Sequence, residues 1–354
     1  MAVPKGDCDL LGQSVPPSSR AQLGWLSPQS FGGCQSAAPV GVPDGSTEGP
    51  VFCLRAALHG GELNGIEIAC RVAHRRDPEP LSRTLVSLPI VNLEGFVRHD
   101  RYIGDRRDLS RSFPGDPDGA YPARIADALM RDIIRHCDAL ADLHIGSFYR
   151  ENLPQICADL TVPELAALDE GFYGLSVLQS VAPKGSLHGA AVAEGVPAVM
   201  FEAGAALTVD MAQVEAAVIS NIGAMQHVGM IPGVIKAQPA RPAFFKSRWV
   251  RAPASGIFIS DVARSAWVEI DQRNGAVLDP ITSSQAEICA PLSGTVSELA
   301  QNQFVSPGFA LYRLGQRATQ DELDSDGEAL KQQIRDKARD GLTVPADSQV
   351  LPED

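Results

Sequence analysis

Short apolar runs that end in glycine or a polar side chain recur through the first two thirds of the chain. Runs of this length are typical of strands buried on both faces of a sheet, although a buried helix segment gives a similar pattern. Stretches with a helical apolar stripe alternate with them, which predicts an α/β fold. The predicted strands cover residues 51–58, 85–92, 139–147, 175–181 and 196–201, and the predicted helices cover residues 65–76, 121–137, 161–174 and 210–230.

The first predicted strand ends in the sequence HGGELNG. Gly60 and Gly61 allow the backbone to turn sharply and to approach a ligand closely. Asn64 is predicted to cap the helix that follows. His59 and Glu62 therefore project from the carboxyl end of a strand, where open α/β sheets usually carry their chemistry.

Three regions depart from this alternation. Residues 1–50 are rich in Pro, Gly and Ser and are predicted to form an irregular lead-in with one or two short strands. Residues 94–118 are dense in charge, Gly and Pro, which predicts a long ordered loop at the edge of the sheet. From about residue 239 short β-rich runs replace the helical pattern, as expected of a small all-β module. We therefore expect an α/β domain over residues 1–238, a β-rich domain over residues 239–315 and a charged, flexible tail over residues 316–354.

The composition excludes several classes of partner. The formal net charge of -13 argues against nucleic acid or anionic lipid as a partner, because both require clustered Lys and Arg. A signal peptide and a membrane-spanning apolar segment are both absent from the sequence, so we expect a cytoplasmic protein. The seven cysteines are scattered without a C-x-x-C pair and are expected to be buried or loop thiols.

Four chemically active side chains share one property. His59, Glu62, His144 and Glu202 each lie where a predicted strand gives way to glycine. Two histidines and a carboxylate are a usual ligand set for catalytic zinc, with the fourth position left for water. Each histidine alone is more often a structural residue than a ligand. The coincidence of four such positions nevertheless favours a metal centre.

The motifs around these residues resemble those of the succinylglutamate desuccinylase and aspartoacylase family, relatives of the zinc carboxypeptidases. They are H-G-x-E-x-x-G from His59, D-L-x-R-x-F-P-G from Asp108, D-L-H from Asp142 and E-x-G from Glu202. The resemblance covers about residues 45–315, with the motifs in the family's order. It implies a zinc-carboxypeptidase-like mixed sheet flanked by helices, followed by a smaller all-β, barrel-like domain.

The resemblance also implies roles for the four side chains. His59, Glu62 and His144 match the family's zinc ligands, so one Zn²⁺ per chain is expected. Glu202 matches the general base that takes a proton from water and returns it to the leaving amine. Asp142 is expected either to orient a ligand or to act as a structural cap.

The resemblance is least specific in residues 94–118, which contain five arginines and are called the arginine loop below. The family's arginine that polarises the scissile carbonyl matches Arg101, with Arg98 and Arg106 close enough to compete. The arginine that binds a substrate carboxylate matches Arg111. The family usually has Asn before this arginine, whereas this chain has Ser110. Binding of a substrate carboxylate at Arg111 is therefore expected to differ from that in the family.

The expected activity is zinc-dependent hydrolysis of the amide bond of a small N-acylated amino acid or related amine. His188 is an expected pocket residue, with a plain loop histidine as the alternative. A carboxypeptidase acting on short peptides and a metal-binding pseudoenzyme stay open, and so does the question of a homo-oligomer. A lipoyl- or biotinyl-carrying module is disfavoured, because the β-rich region lacks an exposed lysine in a suitable hairpin.

Overall fold

A computed structural model of the chain describes residues 6–28, 37–74, 81–233 and 243–317. Cys34 and the predicted tail from residue 318 onward lie outside the described residues. Two short 3₁₀ helices cover Leu109–Arg111 and Ile134–His136. The α-helices are α1 (Leu63–His74), α2 (Leu93–Arg98), α3 (Tyr121–Asp132), α4 (Pro163–Glu170), α5 (Leu187–Ala193) and α6 (Met211–His227).

The strands fall into an amino-terminal set that alternates with these helices and a carboxyl-terminal set without helices. The first set is β1 (Cys8–Leu10), β2 (Gln13–Val15), β3 (Ser19–Leu26), β4 (Ala37–Asp44), β5 (Phe52–Arg55), β6 (Leu85–Leu88), β7 (Ala139–Gly146), β8 (Arg150–Ala158), β9 (Ser176–Gln179) and β10 (Ala198–Ala205). The second set is β11 (Ala243–Arg251), β12 (Gly256–Ser260), β13 (Trp267–Val268), β14 (Arg273–Leu278), β15 (Gln285–Cys289), β16 (Gly294–Ala300), β17 (Gln303–Val305) and β18 (Ala310–Arg317).

A mixed sheet of twelve strands organises the fold, in the order β13-β16-β18-β11-β9-β8-β10-β7-β5-β6-β4-β3. Its centre, β6-β5-β7-β10, is parallel, as helical crossovers between successive strands require. Phe52 and Leu54 of β5 pack into the core on one face of the sheet, and Cys53 packs into the core on the other. This burial on both faces explains the uninterrupted apolar runs of the sequence.

Helices cover both faces of the parallel centre. On one face α1 contributes Ile68 and Val72, and α4 and α6 share the same core. On the other face α3 contributes Ile125 and Leu129, together with residues of α5. A mixed sheet flanked by helices, with an antiparallel β region at the C-terminus, confirms the predicted fold class. Among the described residues, no helix has the length and apolar character needed to cross a membrane.

The carboxyl-terminal strands divide between two sheets. β11, β13, β16 and β18 continue the large sheet, whereas β12, β14, β15 and β17 form a four-stranded antiparallel sheet. β16 also pairs with β8, where Glu298 lies opposite Asn152. The β-rich region is therefore hydrogen-bonded to the strands that carry the site, and the proposed division into domains stays a prediction.

Some local predictions are wrong. The described residues of the lead-in contain four strands, of which β3 and β4 have eight residues each, and β8 was not predicted at all. Asn64 does not cap α1, because the helix begins at Leu63. Its buried amide instead donates to the Ala203 carbonyl (2.9 Å) and accepts from the Asp210 backbone N–H (2.9 Å). Asn64 thus ties α1 to the end of β10 and the start of α6.

Candidate metal centre and active site

Three buried side chains converge at the carboxyl edge of the parallel strands. His59 Nδ1 lies 2.7 Å from Glu62 Oε1, and His144 Nδ1 lies 3.1 Å from the same oxygen. One ligand atom from each of the three residues lies within 4.8 Å of the others, so the group could hold a metal ion. The sequence prediction thus named three residues that the fold brings together.

The turn between β5 and α1 sets this geometry. His59 lies four residues beyond the end of β5, and Glu62 immediately precedes α1, so both reach the same point from one short loop. A Cβ at Gly60 would collide with the backbone of Gly95, and the Gly60 N–H donates to the Asp100 carbonyl (2.9 Å). Only glycine fits the turn at this position, because the backbone of α2 packs directly against it.

His144 and Glu202 come from neighbouring parallel strands. The Cα of Glu202 in β10 pairs with that of His144 in β7. Both residues lie inside their strands rather than just beyond them, and the register of β10 shifts between Glu202 and Ala205. Because the two strands pair in parallel at these positions, the candidate base Glu202 lies beside the candidate metal ligand His144.

A carboxylate lies behind each histidine. Asp108 Oδ1 is 3.0 Å from His59 Nε2, and Asp142 Oδ1 is 3.1 Å from His144 Nε2. An Nε2–H that donates to a carboxylate leaves Nδ1 with a free lone pair, which is the tautomer that a metal ligand needs. The two Nδ1 atoms are the ones that face Glu62.

Electrostatics in the cluster keep the carboxylates charged. Burial raises the pKa of Glu62, but His144 and His59 lower it more, and the pKa ends well below its usual range. Asp108 behaves in the same way, with His59 and Arg101 outweighing burial. Burial lowers the pKa of His144, but Asp142 and Glu62 raise it to about 10. A cluster this rich in negative charge stabilises a cation, and a metal ion would compete with the histidine protons.

Glu202 has a different environment. Its Oε2 accepts hydrogen bonds from Asn152 Nδ2 (2.5 Å) and Gln155 Nε2 (3.3 Å). Gln155 Nε2 also donates to Glu298 Oε1 (3.1 Å), which pairs with Arg313. Burial raises the pKa of Glu202, and the Glu298 carboxylate raises it further, to about 7. A carboxyl group with this pKa can both accept and return a proton near neutral pH.

Of the three loop arginines considered for carbonyl polarisation, the described structure brings only Arg101 to the cavity of the cluster. Arg101 Nη2 pairs with Asp108 Oδ2 (2.7 Å), and Nη1 donates to Ser147 Oγ (2.7 Å). Its Nη1 lies 3.4 Å from His59 Nδ1. Arg98 instead lies near Glu94 (3.9 Å), and both Arg98 and Arg106 are exposed.

The remaining predicted pocket residues line the same cavity. Ser110 and Arg111 enter it from the 3₁₀ helix of the loop, and His188 enters it from the first turn of α5. Ser110 Oγ donates to Asp108 Oδ1 (2.7 Å), so this hydroxyl braces the carboxylate behind His59. His188 Nδ1 lies 3.5 Å from Asp142 Oδ2.

The cavity is narrow, with a volume of about 30 Å³. Ligand pockets usually measure about 300–1,000 Å³. Arg101 and His59 both line this cavity, and both contact Asp108. Substrate entry therefore requires these side chains to move.

Several residues of the site were not predicted from the sequence. Asn152 and Gln155 hold Glu202, Glu298 reaches it from β16, and Arg55 pairs with Asp142. Arg55 had one signal, since it is a lone charge inside an apolar strand run. Asn152 and Gln155 belong to the strand that was not predicted, and Glu298 is nearly a hundred residues from Glu202 in the sequence.

Comparisons with known proteins agree with the fold and the motifs. The model of the succinylglutamate desuccinylase/aspartoacylase catalytic domain matches residues 48–225, half of the chain. The structure resembles a succinylglutamate desuccinylase/aspartoacylase from Rhodobacter sphaeroides, with a TM-score of 0.79, 21% identity and coverage of 89% of this chain and 99% of that one. It also resembles the product-bound ectoine utilization protein EutE (DoeB) from Ruegeria pomeroyi, with a TM-score of 0.76, 22% identity and coverage of 84% and 95%.

A curated relative matches a shorter segment. The N-alpha-acetyl-L-2,4-diaminobutyric acid deacetylase of Halomonas elongata is 32% identical over 108 residues, which is 30% of this chain and 32% of the relative. The match thus spans about a third of that protein's length. The family model covers the His59–Glu62 turn, the arginine loop, His144 and Glu202. The chain belongs to the succinylglutamate desuccinylase/aspartoacylase family.

Proposed function

We propose that this chain is a zinc-dependent hydrolase that cleaves the amide bond of a small N-acylated amino acid or related amine. The observation that carries this function is the convergence of His59 Nδ1 and His144 Nδ1 on one oxygen of Glu62. Glu202, with a pKa of about 7, lines the same cavity. Ligands for a metal and a proton acceptor thus lie side by side.

The donor set fits zinc. Two imidazole nitrogens and a carboxylate are the ligands of many catalytic zinc sites, which keep a further position open. Glu62 Oε2 is buried without a hydrogen-bond partner, and a metal ion would satisfy it. The carboxylates of Asp108 and Asp142 hold the distal nitrogens of the two histidines, as is usual around metal-binding imidazoles.

His59, Glu62 and His144 would hold the ion. When bound, zinc lowers the pKa of water toward ~7 and polarises a carbonyl group. Glu202 takes a proton from the attacking water and later delivers it to the nitrogen of the leaving amine. Asn152 and Gln155 hold Glu202 Oε2 and so orient the carboxylate for this transfer.

The arginine loop supplies the remaining parts. Arg101 stabilises negative charge on the carbonyl oxygen, which its position beside His59 supports. Arg111 binds a carboxylate of the substrate and so aligns the scissile bond. Ser110 and His188 line the cavity beside them and shape the site for the substrate.

The relatives support the reaction class. The name of the Halomonas relative describes a deacetylase of an N-acetylated diamino acid, and removal of an acyl group from a small amine is the activity proposed for this chain. The pseudoenzyme alternative predicts bound zinc without hydrolysis of any N-acyl amino acid.

The test combines metal content with hydrolysis. Purified protein is expected to contain about one zinc per chain and to release acid from one of a panel of N-acetyl and N-succinyl amino acids. A chelator is expected to abolish the activity, and zinc is expected to restore it. Glu202→Gln is expected to keep the metal and to lose about 10²–10⁴-fold in kcat. Full activity of this variant would contradict the mechanism.

A further inference from the structure

A second, larger cavity lies next to the candidate site. Its volume is about 390 Å³, which is within the usual range of small-molecule pockets. Mainly apolar groups line it, among them Phe113, Val162, Leu165, Ala182, Pro183 and Ala198.

His188 lines both cavities. It is buried in the first turn of α5 and lines the narrow cavity together with Glu202. The arginine loop also spans both, since Ser110 and Arg111 line the narrow cavity and Phe113 lines the larger one. The two cavities thus share His188 and take lining residues from adjoining positions of the same loop.

Strand β10 contributes lining residues to both cavities. Ala198 lines the larger cavity, whereas Met200 and Glu202 line the narrow one. These residues alternate along the strand, so their side chains share one face of it. At about 3.3 Å per residue, Ala198 lies roughly 13 Å from Glu202. A substrate whose amide bond lies at Glu202 therefore needs a chain that extends past His188, which lines both cavities, to enter the larger one.

The lining indicates the chemistry of the occupant. Asp159 lines the cavity but already accepts hydrogen bonds from Thr161 Oγ1 (2.6 Å) and Gln179 Nε2 (2.8 Å). Lys184 lines it as well and is exposed to solvent. The remaining wall is largely hydrocarbon, and burial of a hydrocarbon chain in it is favourable.

We propose that this apolar cavity binds a hydrocarbon part of the amide substrate, either in the acyl group or in the side chain of the amine half. The inference rests on the proposed function and specifies its substrate class. The narrow cavity alone has no room for such a group. His188 lines both spaces, and its side chain moves aside when the hydrocarbon chain of the substrate enters.

The test uses two matched substrate series with the zinc-loaded enzyme. One extends the acyl group from N-acetylalanine to N-butanoyl- and N-hexanoylalanine. The other extends the side chain from N-acetylalanine to N-acetylnorvaline and N-acetylnorleucine. In one series kcat/KM is expected to rise about fourfold per added methylene until the cavity is full. Values that stay flat or fall in both series would overturn the inference.

Variants and calorimetry separate this inference from the proposed function. Val162→Phe and Ala182→Phe fill the cavity and are expected to remove the chain-length gain. Ile219→Phe, on the exposed face of α6, is the control and is expected to keep it. Calorimetric binding of N-hexanoylalanine and N-acetylnorleucine to Glu202→Gln needs no turnover. Tighter binding than that of N-acetylalanine would support the cavity even if no substrate were hydrolysed, and equal binding of all three would overturn it.

Discussion

The guanidinium of Arg55 lies against the carboxylate of Asp142, and both side chains are almost completely buried. Arg55 Nη2 contacts the same oxygen, Asp142 Oδ1, that lies 3.1 Å from His144 Nε2. Burial raises the pKa of Asp142, but Arg55 and His144 lower it more, to well below its usual range. Arg55 therefore keeps Asp142 ionised beside His144 Nε2, an arrangement that favours presentation of His144 Nδ1 to the candidate metal position.

Replacement of this arginine should weaken the metal site. In Arg55→Met the buried Asp142 loses its counterion, and we expect zinc affinity to fall by about 10–100-fold. A competition titration with a chelator measures the affinity directly. Arg83→Met removes a half-exposed pair with Glu48 and is the control. An unchanged zinc affinity in folded Arg55→Met protein would contradict the role given to Arg55.

Glu298 should tune the pH dependence of the reaction. The pKa of Glu202 is raised first by burial and next by Glu298, while His144 and Arg313 lower it. Removal of the negative neighbour in Glu298→Gln therefore lowers the pKa of Glu202. Because the proposed base, Glu202, works deprotonated, the acid limb of kcat/KM against pH should move to lower pH. A shift to higher pH, or no shift, would exclude this coupling.

The same raised pKa should cost stability. Glu202 has a pKa of about 7 in the folded chain and 4.5 as its reference value, so the folded state binds more protons between these limits. Ionisation of Glu202 therefore destabilises the folded state increasingly as pH rises above 4.5. The destabilisation is complete above about pH 7. In metal-free protein Glu202→Gln should be more stable than the wild type at pH 8, by on the order of 3 kcal/mol. Denaturant unfolding at pH 5.5 and pH 8 should show a smaller difference at the lower pH.

The candidate site could be predicted from the sequence where its residues share one turn or lie at the ends of adjacent parallel strands. His59 and Glu62 share one turn, and His144 and Glu202 follow from parallel strands that end at the same edge. The apolar runs identify these strands because both faces of the sheet are covered. The roles within the arginine loop depend on a fold of its own, and spacing alone did not distinguish Arg101 from its neighbours.

The supports of the site could not be predicted in this way. The strand with Asn152 and Gln155 is partly polar, because its side chains face Glu202 and Glu298 instead of an apolar core. Its antiparallel partners β10 and β16 come from distant parts of the chain. Such pairings follow from the assembled sheet and leave no local pattern in the sequence.

Ser110 should determine how the site holds a carboxylate. The family usually has Asn here, whereas the Ser110 hydroxyl donates to Asp108 (2.7 Å). Ser110→Asn adds an amide donor beside Arg111, and we expect KM for substrates with a free carboxylate to fall by roughly tenfold. Substrates with that carboxylate amidated should show no such gain. Ser110→Ala removes the hydrogen bond to Asp108 without adding an amide donor and is the control. If KM fell equally in Ser110→Ala, the gain in Ser110→Asn would not come from a new contact with the substrate carboxylate.

Arg101 and Arg98 offer a matched pair of loop arginines. Arg101 Nη1 lies 3.4 Å from His59 Nδ1, whereas Arg98 is about half exposed and lies near Glu94 (3.9 Å). Loss of a charged donor aimed at a developing oxyanion usually costs about 10²–10³-fold in kcat. We expect a loss of this size in Arg101→Met, with zinc retained, and less than a twofold change in Arg98→Met.

Arg101 also contacts Asp108, so a loss of activity in Arg101→Met has two explanations. If Arg101 acted only by holding Asp108 behind His59, its replacement would lower zinc affinity as Asp108→Asn does. If Arg101 stabilises the oxyanion, kcat falls while zinc affinity stays close to that of the wild type. Measurement of both quantities in Arg101→Met therefore separates the two roles, because only the structural one changes the metal site.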